Sequence, residues 1–165
     1  MRMMIHDLNK EDYRLIFPAD PEDCRLIGPD KKVRPCIGCE DCWVRMPGEC
    51  PIRDDAGLIA RDLSSTDEII ILTRCCYGSV SPFIKAVLDR MTGYQLPFAE
   101  VRDGETRFRL RYDGRIRLRV IFYGDISSEE KRVASDYIER VGKAFNASKL
   151  SCDFAEDVLE MGGMI

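Results

Sequence analysis

The chain predicts an α/β fold, a five-stranded parallel sheet covered by helices on both faces. Three observations carry this reading. Ile69-Ile70-Ile71-Leu72 is an unbroken apolar run, which suits a strand buried on both sides. Strand-like runs alternate along the chain with apolar stripes at helical spacing. Parallel strands are joined by right-handed crossovers, so the alternation becomes a three-layer sandwich. At 165 residues the chain has the size of one ordinary domain, and residues 1–165 are read as one.

The elements follow in order. RMMI (Arg2–Ile5) predicts the first strand, and Asn9–Ile16 a short helix with Asn9 as its cap. Cys24–Gly28 is the second strand and Ala56–Leu63 another short helix. DEIIILTRCC (Asp67–Cys76) is the strongest strand. Ser81 and Pro82 then open a helix as N-cap and first residue, with Phe83, Ile84, Val87, Leu88 and Met91 on one face. Arg115–Asp125 alternates at first and then turns apolar, as in a strand with one half-exposed end. Ser127 and Glu130 have capping-box spacing, and Val133, Tyr137, Ile138, Val141 and Phe145 form the stripe that follows. Lys149–Phe154 closes the sheet. Five strands so connected fit the flavodoxin-like order 2-1-3-4-5, with a ligand crevice at the carboxyl ends of strands one and three.

Composition narrows the partners. The chain is 45% hydrophobic and 33% charged, with a net charge of −4, which argues against nucleic acid. No run reaches the roughly 20 apolar residues of a membrane span. The apolar part of MRMMIHDLNKEDY is too short for a signal peptide. A cytoplasmic protein is the expectation, and its thiols would be mostly reduced.

The loop after strand three, RCCYGSVSP, borders the expected crevice. Gly78 would let a ligand approach the backbone, Tyr77 offers an aromatic face, and Ser79 and Ser81 offer hydroxyls. A flat ring with a polar edge, such as isoalloxazine, suits this set; an ordinary strand-to-helix turn is the alternative. DEIIILTRCCYGSVSPFIKAVLDRM resembles the flavin-loop signature of the flavodoxin-like NAD(P)H-dependent FMN reductases. Tyr77, Gly78, Ser79, Lys85, Asp89 and Arg90 match the pattern, while Cys75 and Cys76 depart from it. Upstream, CIGCEDCWVRMPGECPIRDD is similar to the cysteine loop of the same family, including Trp43, Pro47-Gly48 and Asp54-Asp55. The resemblance implies FMN as cofactor, contacted by Cys75, Cys76, Tyr77, Gly78 and Ser79, and NAD(P)H as electron donor. No catalytic side chain is assigned, because hydride transfer to a flavin needs none.

One part of that pattern is missing. Family members follow strand one with a glycine-containing loop that cradles the FMN phosphate. This chain has HDLNKEDY (His6–Tyr13), with Asp7, Glu11 and Asp12 against Lys10 and no glycine. Glu11 and Asp12 would themselves occupy the positive end of the helix dipole. A cofactor-free relative acting by association is therefore the rival expectation.

The cysteine loop, residues 30–54, holds Cys36, Cys39, Cys42 and Cys50 at C-x2-C-x2-C-x7-C spacing. It resembles the motif of iron–sulfur flavoproteins, which implies these four as [4Fe–4S] ligands. Reduced thiols without a cluster, and thiol–disulfide exchange beside a flavin, are the other readings. Overlapping pairs that share Cys39 argue against zinc. Cys24 and Cys152 read as core residues of predicted strands, His6 as a capping or solvated residue, and Trp43 as loop packing. The insert 93–117 contains a hairpin turn at Asp103-Gly104 and several arginines. It is read as an arm or lid, with Tyr94, Leu96, Pro97 and Phe98 as the apolar part of a homodimer contact.

Overall fold

The computed structural model describes residues 1–165. Its main sheet contains β1 (Arg2–His6), β2 (Cys24–Ile27), β3 (Glu68–Arg74), β6 (Arg117–Tyr123) and β7 (Lys149–Ala155). These are all parallel, in the order β2-β1-β3-β6-β7. Counted within this sheet alone, that is the expected 2-1-3-4-5. Six helices accompany it: α1 (Lys10–Ile16), α2 (Asp41–Val44), α3 (Ile59–Asp62), α4 (Pro82–Arg90), α5 (Ser128–Ala144) and α6 (Val158–Met164).

The apolar run in β3 now has its physical reason. Ile69 and Ile71 enter one core, with Ile59 of α3, Ile84 and Val87 of α4 and Ile138 of α5. Ile70 and Leu72 enter the other, with Tyr13 of α1 and Met161 of α6. Alternate side chains leave opposite faces of a strand, so a strand covered on both sides must be apolar throughout. The caps match the expectations: Asn9 accepts from the Asp12 N–H, Ser81 from Ile84, and Ser127 and Glu130 form a capping box.

Several elements differ from the sequence expectation. The helix expected at 56–63 is one turn, Ile59–Asp62, extended by a 3-10 turn over Leu63–Ser65. On α5 the buried line runs through Ala134, Ile138 and Gly142, while Val133 is exposed. Gly142 is small because Leu150 of β7 lies against it, 3.3 Å from where a Cβ would be. Helix α6 was not expected; Asp157 caps it and Met161 anchors it, but Gly162-Gly163 interrupts its pattern. The insert contains an antiparallel hairpin, β4 (Gln95–Arg102) and β5 (Glu105–Leu110), separate from the main sheet. Its turn is Asp103-Gly104, both with positive φ, as expected. Tyr94 does not belong to the exposed face of this arm; it is fully buried beside Tyr112 and Phe145.

His6 neither caps a helix nor meets solvent. It is 4% exposed and stacks on Tyr13 with ring centroids 4.5 Å apart. Gly28 has no side chain because a Cβ there would lie 2.5 Å from His6 Nε2. Burial holds the imidazole below its ordinary pKa, against the opposing pull of Asp30 and Asp7.

A single arginine fastens the cysteine loop to the body of the fold. Arg90, in the last turn of α4, has a side-chain exposure of 0%. Its Nη1 and Nη2 each donate to an oxygen of Asp54 at 2.8 Å. Nη1 also donates to the Arg34 carbonyl at 2.8 Å, and Nη2 to that of Ile52 at 3.1 Å. Both flanks of the loop are therefore tied to one guanidinium. Burial alone would raise the Asp54 carboxyl, but Arg90 and the amides of Arg34 and Ala56 hold it below its usual value.

Arg90→Lys cannot reproduce the two-pronged pairing, so it should destabilise the fold by roughly 3–5 kcal/mol in urea unfolding. His6 generates a pH dependence. The unfolded imidazole takes a proton below about pH 6.5 while the folded one resists, so stability should fall on acidification through that window. His6→Gln should flatten the slope between about pH 7 and pH 5 in the same measurement.

Candidate functional site

Strand β3 delivers the expected turn to the carboxyl edge of the sheet. Cys76 and Ser79 exchange both backbone hydrogen bonds, 2.8 and 3.0 Å, leaving Tyr77 and Gly78 as a two-residue turn. Both have positive φ, 53° and 73°. Tyr77 is 93% exposed, so no side chain of the protein covers its ring. Cys75, Cys76 and Ser79 are half-buried. Gly78 has a different partner from the one its sequence context suggests. A Cβ there would lie 2.7 Å from Val133 Cβ and 3.2 Å from the Glu130 carbonyl, so the close approach is by α5. The amide of Gly78 faces the Cys75 thiol, whose pKa burial nevertheless pushes up. At α4, Ser81 caps the helix with its own hydroxyl and donates its N–H to Thr73 Oγ1 at 3.0 Å.

Between β1 and β3, where the strand order reverses, sits Asp7. Its Oδ2 accepts from the Arg74 N–H at 2.9 Å and from Thr73 Oγ1 at 3.0 Å. Its Oδ1 accepts from Tyr123 Oη at 2.9 Å and, more weakly, from Arg74 N at 3.2 Å. Burial raises the Tyr123 hydroxyl pKa, and the neighbouring Asp7 carboxylate raises it further, so this hydroxyl remains a donor. Along α1, Asn9 Oδ1 takes the Asp12 N–H at 2.8 Å, and Asn9 Nδ2 donates to Asp12 Oδ2 at 2.8 Å. Cavities lie on either side of this point. One, of about 540 Å³, opens between α1 and the loop after β2, over His6 and Tyr13. The other, of about 470 Å³, lies at the ends of β6 and β7 beside Lys131 and Glu160.

FMN fits this chain in one half only. An uncovered aromatic ring on a tight backbone turn suits the isoalloxazine. The phosphate half does not fit: the strand-end donors already serve the Asp7 carboxylate, and the first turn of α1 has its Asp12 N–H capped by Asn9 and carries the negative charge of Glu11 and Asp12.

The cysteine loop wraps through three left-handed residues, Gly38 at φ 67°, Glu40 at φ 60° and Gly48 at φ 81°, and through the single turn of α2. Cys36 and Cys39 are exposed, Cys42 and Cys50 half-buried, and all are free thiols. Burial pushes the Cys42 thiol pKa up, with further contributions from Cys50, Cys36 and Cys39. No three of the sulfurs adopt a metal-ligating arrangement. The donor set is nonetheless the soft, all-thiolate kind that an iron–sulfur cluster takes. Trp43 is a packing residue, as expected: Nε1 donates to the Thr92 carbonyl at 3.1 Å, and its ring lies 5.2 Å from Phe108 of the hairpin.

Two functional placements escaped the sequence reading. Asp7 looked like one charge among several; its position directly after β1, where crevice loops begin, was the available signal. The Arg90–Asp54 pair joins residues 36 apart, and nothing in the spacing shows that they meet.

No family model matches the chain. Among curated proteins it is similar to an iron–sulfur flavoprotein of Methanocaldococcus jannaschii, 36% identical over 69 residues, covering 42% of this chain and 35% of that protein. An iron–sulfur flavoprotein of Archaeoglobus fulgidus is 29% identical over 115 residues, covering 70% of this chain and 45% of that one. The chain thus matches less than half the length of these relatives. Among solved structures, an azoreductase from Bacillus anthracis superposes with TM-score 0.54 at 10% identity, covering 93% of this chain and 86% of that one. A structure of an FMN-dependent NADH-azoreductase from the same species, in complex with FMN, gives TM-score 0.51 at 10% identity with the same coverage. These structures share the fold, and no helix here is long and apolar enough to cross a membrane. By sequence the chain is similar to iron–sulfur flavoproteins over part of their length, and by structure it has the flavodoxin-like fold.

Proposed function

We propose that this protein is a flavodoxin-like oxidoreductase or electron-transfer flavoprotein, with FMN as cofactor and NAD(P)H or another small molecule as electron donor. One observation carries the reading. The two segments that resemble the family, Cys36–Asp55 and Asp67–Met91, fold against each other, and Arg90 of the second holds both flanks of the first. The cysteine loop and the exposed aromatic turn are thereby fixed to the two ends of one helix, the loop at Arg90 in the last turn of α4 and the turn just before its Ser81 cap. Cys75, Cys76, Tyr77, Gly78 and Ser79 would meet the flavin ring. A cytoplasmic setting, and a second copy of the chain against the exposed Phe98 and Val101 of the hairpin, complete the proposal.

A second reading is favoured by the four thiols and the names of the curated relatives: Cys36, Cys39, Cys42 and Cys50 would hold a [4Fe–4S] cluster. Such a cluster supplies one-electron transfer.

Purified protein titrated into FMN should quench the flavin fluorescence. Tyr77→Asn, which tolerates the left-handed backbone, should weaken that binding roughly tenfold without loss of fold. Absence of quenching at high protein concentration would sink the flavin assignment. Anaerobic treatment with ferrous iron and sulfide should leave iron bound after desalting, and Cys39→Ser should abolish it. Retention of iron by that variant would remove the cluster assignment.

A further inference from the structure

We propose that this chain selects its flavin by the ring and not by the phosphate, because Asp7 already occupies the anion position at the switch point. The inference rests on the flavin reading above and specifies which half of the ligand is recognised.

In a sheet of this order, ligands lie outside the carboxyl ends of the strands where strand order reverses. Anions bind there when convergent N–H and O–H donors are free. Here the donors exist and converge. Thr73 Oγ1 and the Arg74 N–H come from β3, and Tyr123 Oη comes from β6. All three point at one carboxylate that projects from the end of β1. Asp7 is thus an anion already held by this donor set, and an incoming phosphate would have to compete with it for these three donors and would meet a like charge.

Two further features close the alternatives nearby. The first turn of α1 has its Asp12 N–H capped by Asn9, with Glu11 and Asp12 adding negative charge at the same end. No glycine occurs before Gly28, so the connection from β1 to α1 has no residue suited to wrapping backbone amides around an anion. The uncharged ring meets none of these obstacles at Tyr77, whose face is open. Riboflavin, which has the ring and ribityl chain without the phosphate, is therefore as good a ligand as FMN.

The test is an equilibrium titration of the intact chain with riboflavin and, separately, with FMN, followed by quenching of flavin fluorescence. The two dissociation constants should agree within about threefold. FMN bound tenfold or more tightly than riboflavin overturns the inference and leaves the flavin reading standing. Binding of neither overturns both. Asp7→Asn removes the charge and keeps an acceptor. It should tighten FMN about tenfold while leaving riboflavin unchanged. An equal change for the two flavins, in a variant that unfolds like the wild type, overturns the role given to Asp7. Should the variant not fold, the wild-type comparison still decides.

Discussion

One carboxylate organises the functional end of this molecule. Asp7 extends from β1 and gathers donors from β3 and β6, so three adjacent strand ends meet on a single side chain. Open parallel sheets usually leave that place for a ligand. Here the protein has satisfied it internally, and a half-buried anion held by three donors is costly to disturb, since any partner left behind loses a charge-assisted hydrogen bond. What remains available lies three residues beyond Arg74, where the chain has left the sheet and turns at Tyr77-Gly78. The position of Asp7 thus decides which part of the carboxyl edge can receive another molecule.

The cysteine loop obeys a second constraint. It has little regular structure of its own, one turn of α2 with left-handed residues before it at Gly38 and Glu40 and after it at Gly48. A segment of that kind holds its shape only if its ends are fixed. Arg90 supplies this from the core side of α4, through one carboxylate and two carbonyls. The planar guanidinium matters, because a lysine could not serve Asp54 with two parallel bonds. The exposed thiols can then vary in what they hold without disturbing the sheet, since the fixation lies in the flanks and not in the sulfurs.

Much of the architecture was legible because it follows from periodicity. The apolar run in β3, the caps at Asn9, Ser81 and Ser127, and the hairpin turn at Asp103-Gly104 are local signals, and each appears in the structure. Helix α6 was hidden by Gly162-Gly163, and on α5 the stripe of Tyr137, Ile138, Val141 and Phe145 does pack on the core, with Ala134 and Gly142 buried beside it and Val133 exposed. At the site, the Tyr77-Gly78 turn could be read from its sequence, but the reason for its glycine could not. Its neighbour is Val133 of α5, 55 positions away in the chain, and that meeting depends on the packing of the whole layer. The same holds for Asp7 with Tyr123 and for Arg90 with Asp54. Pairings across the fold, not the elements themselves, were the unreadable part.

The one tryptophan of the chain sits where it is most informative. Trp43 lies between Cys42 and the hairpin, bonded to Thr92 and tilted against Phe108. Its emission therefore samples a single neighbourhood, undiluted by any other indole. Loading, oxidation or loosening of the cysteine segment would alter that glow directly, giving the molecule an inbuilt optical gauge of the state of its thiols.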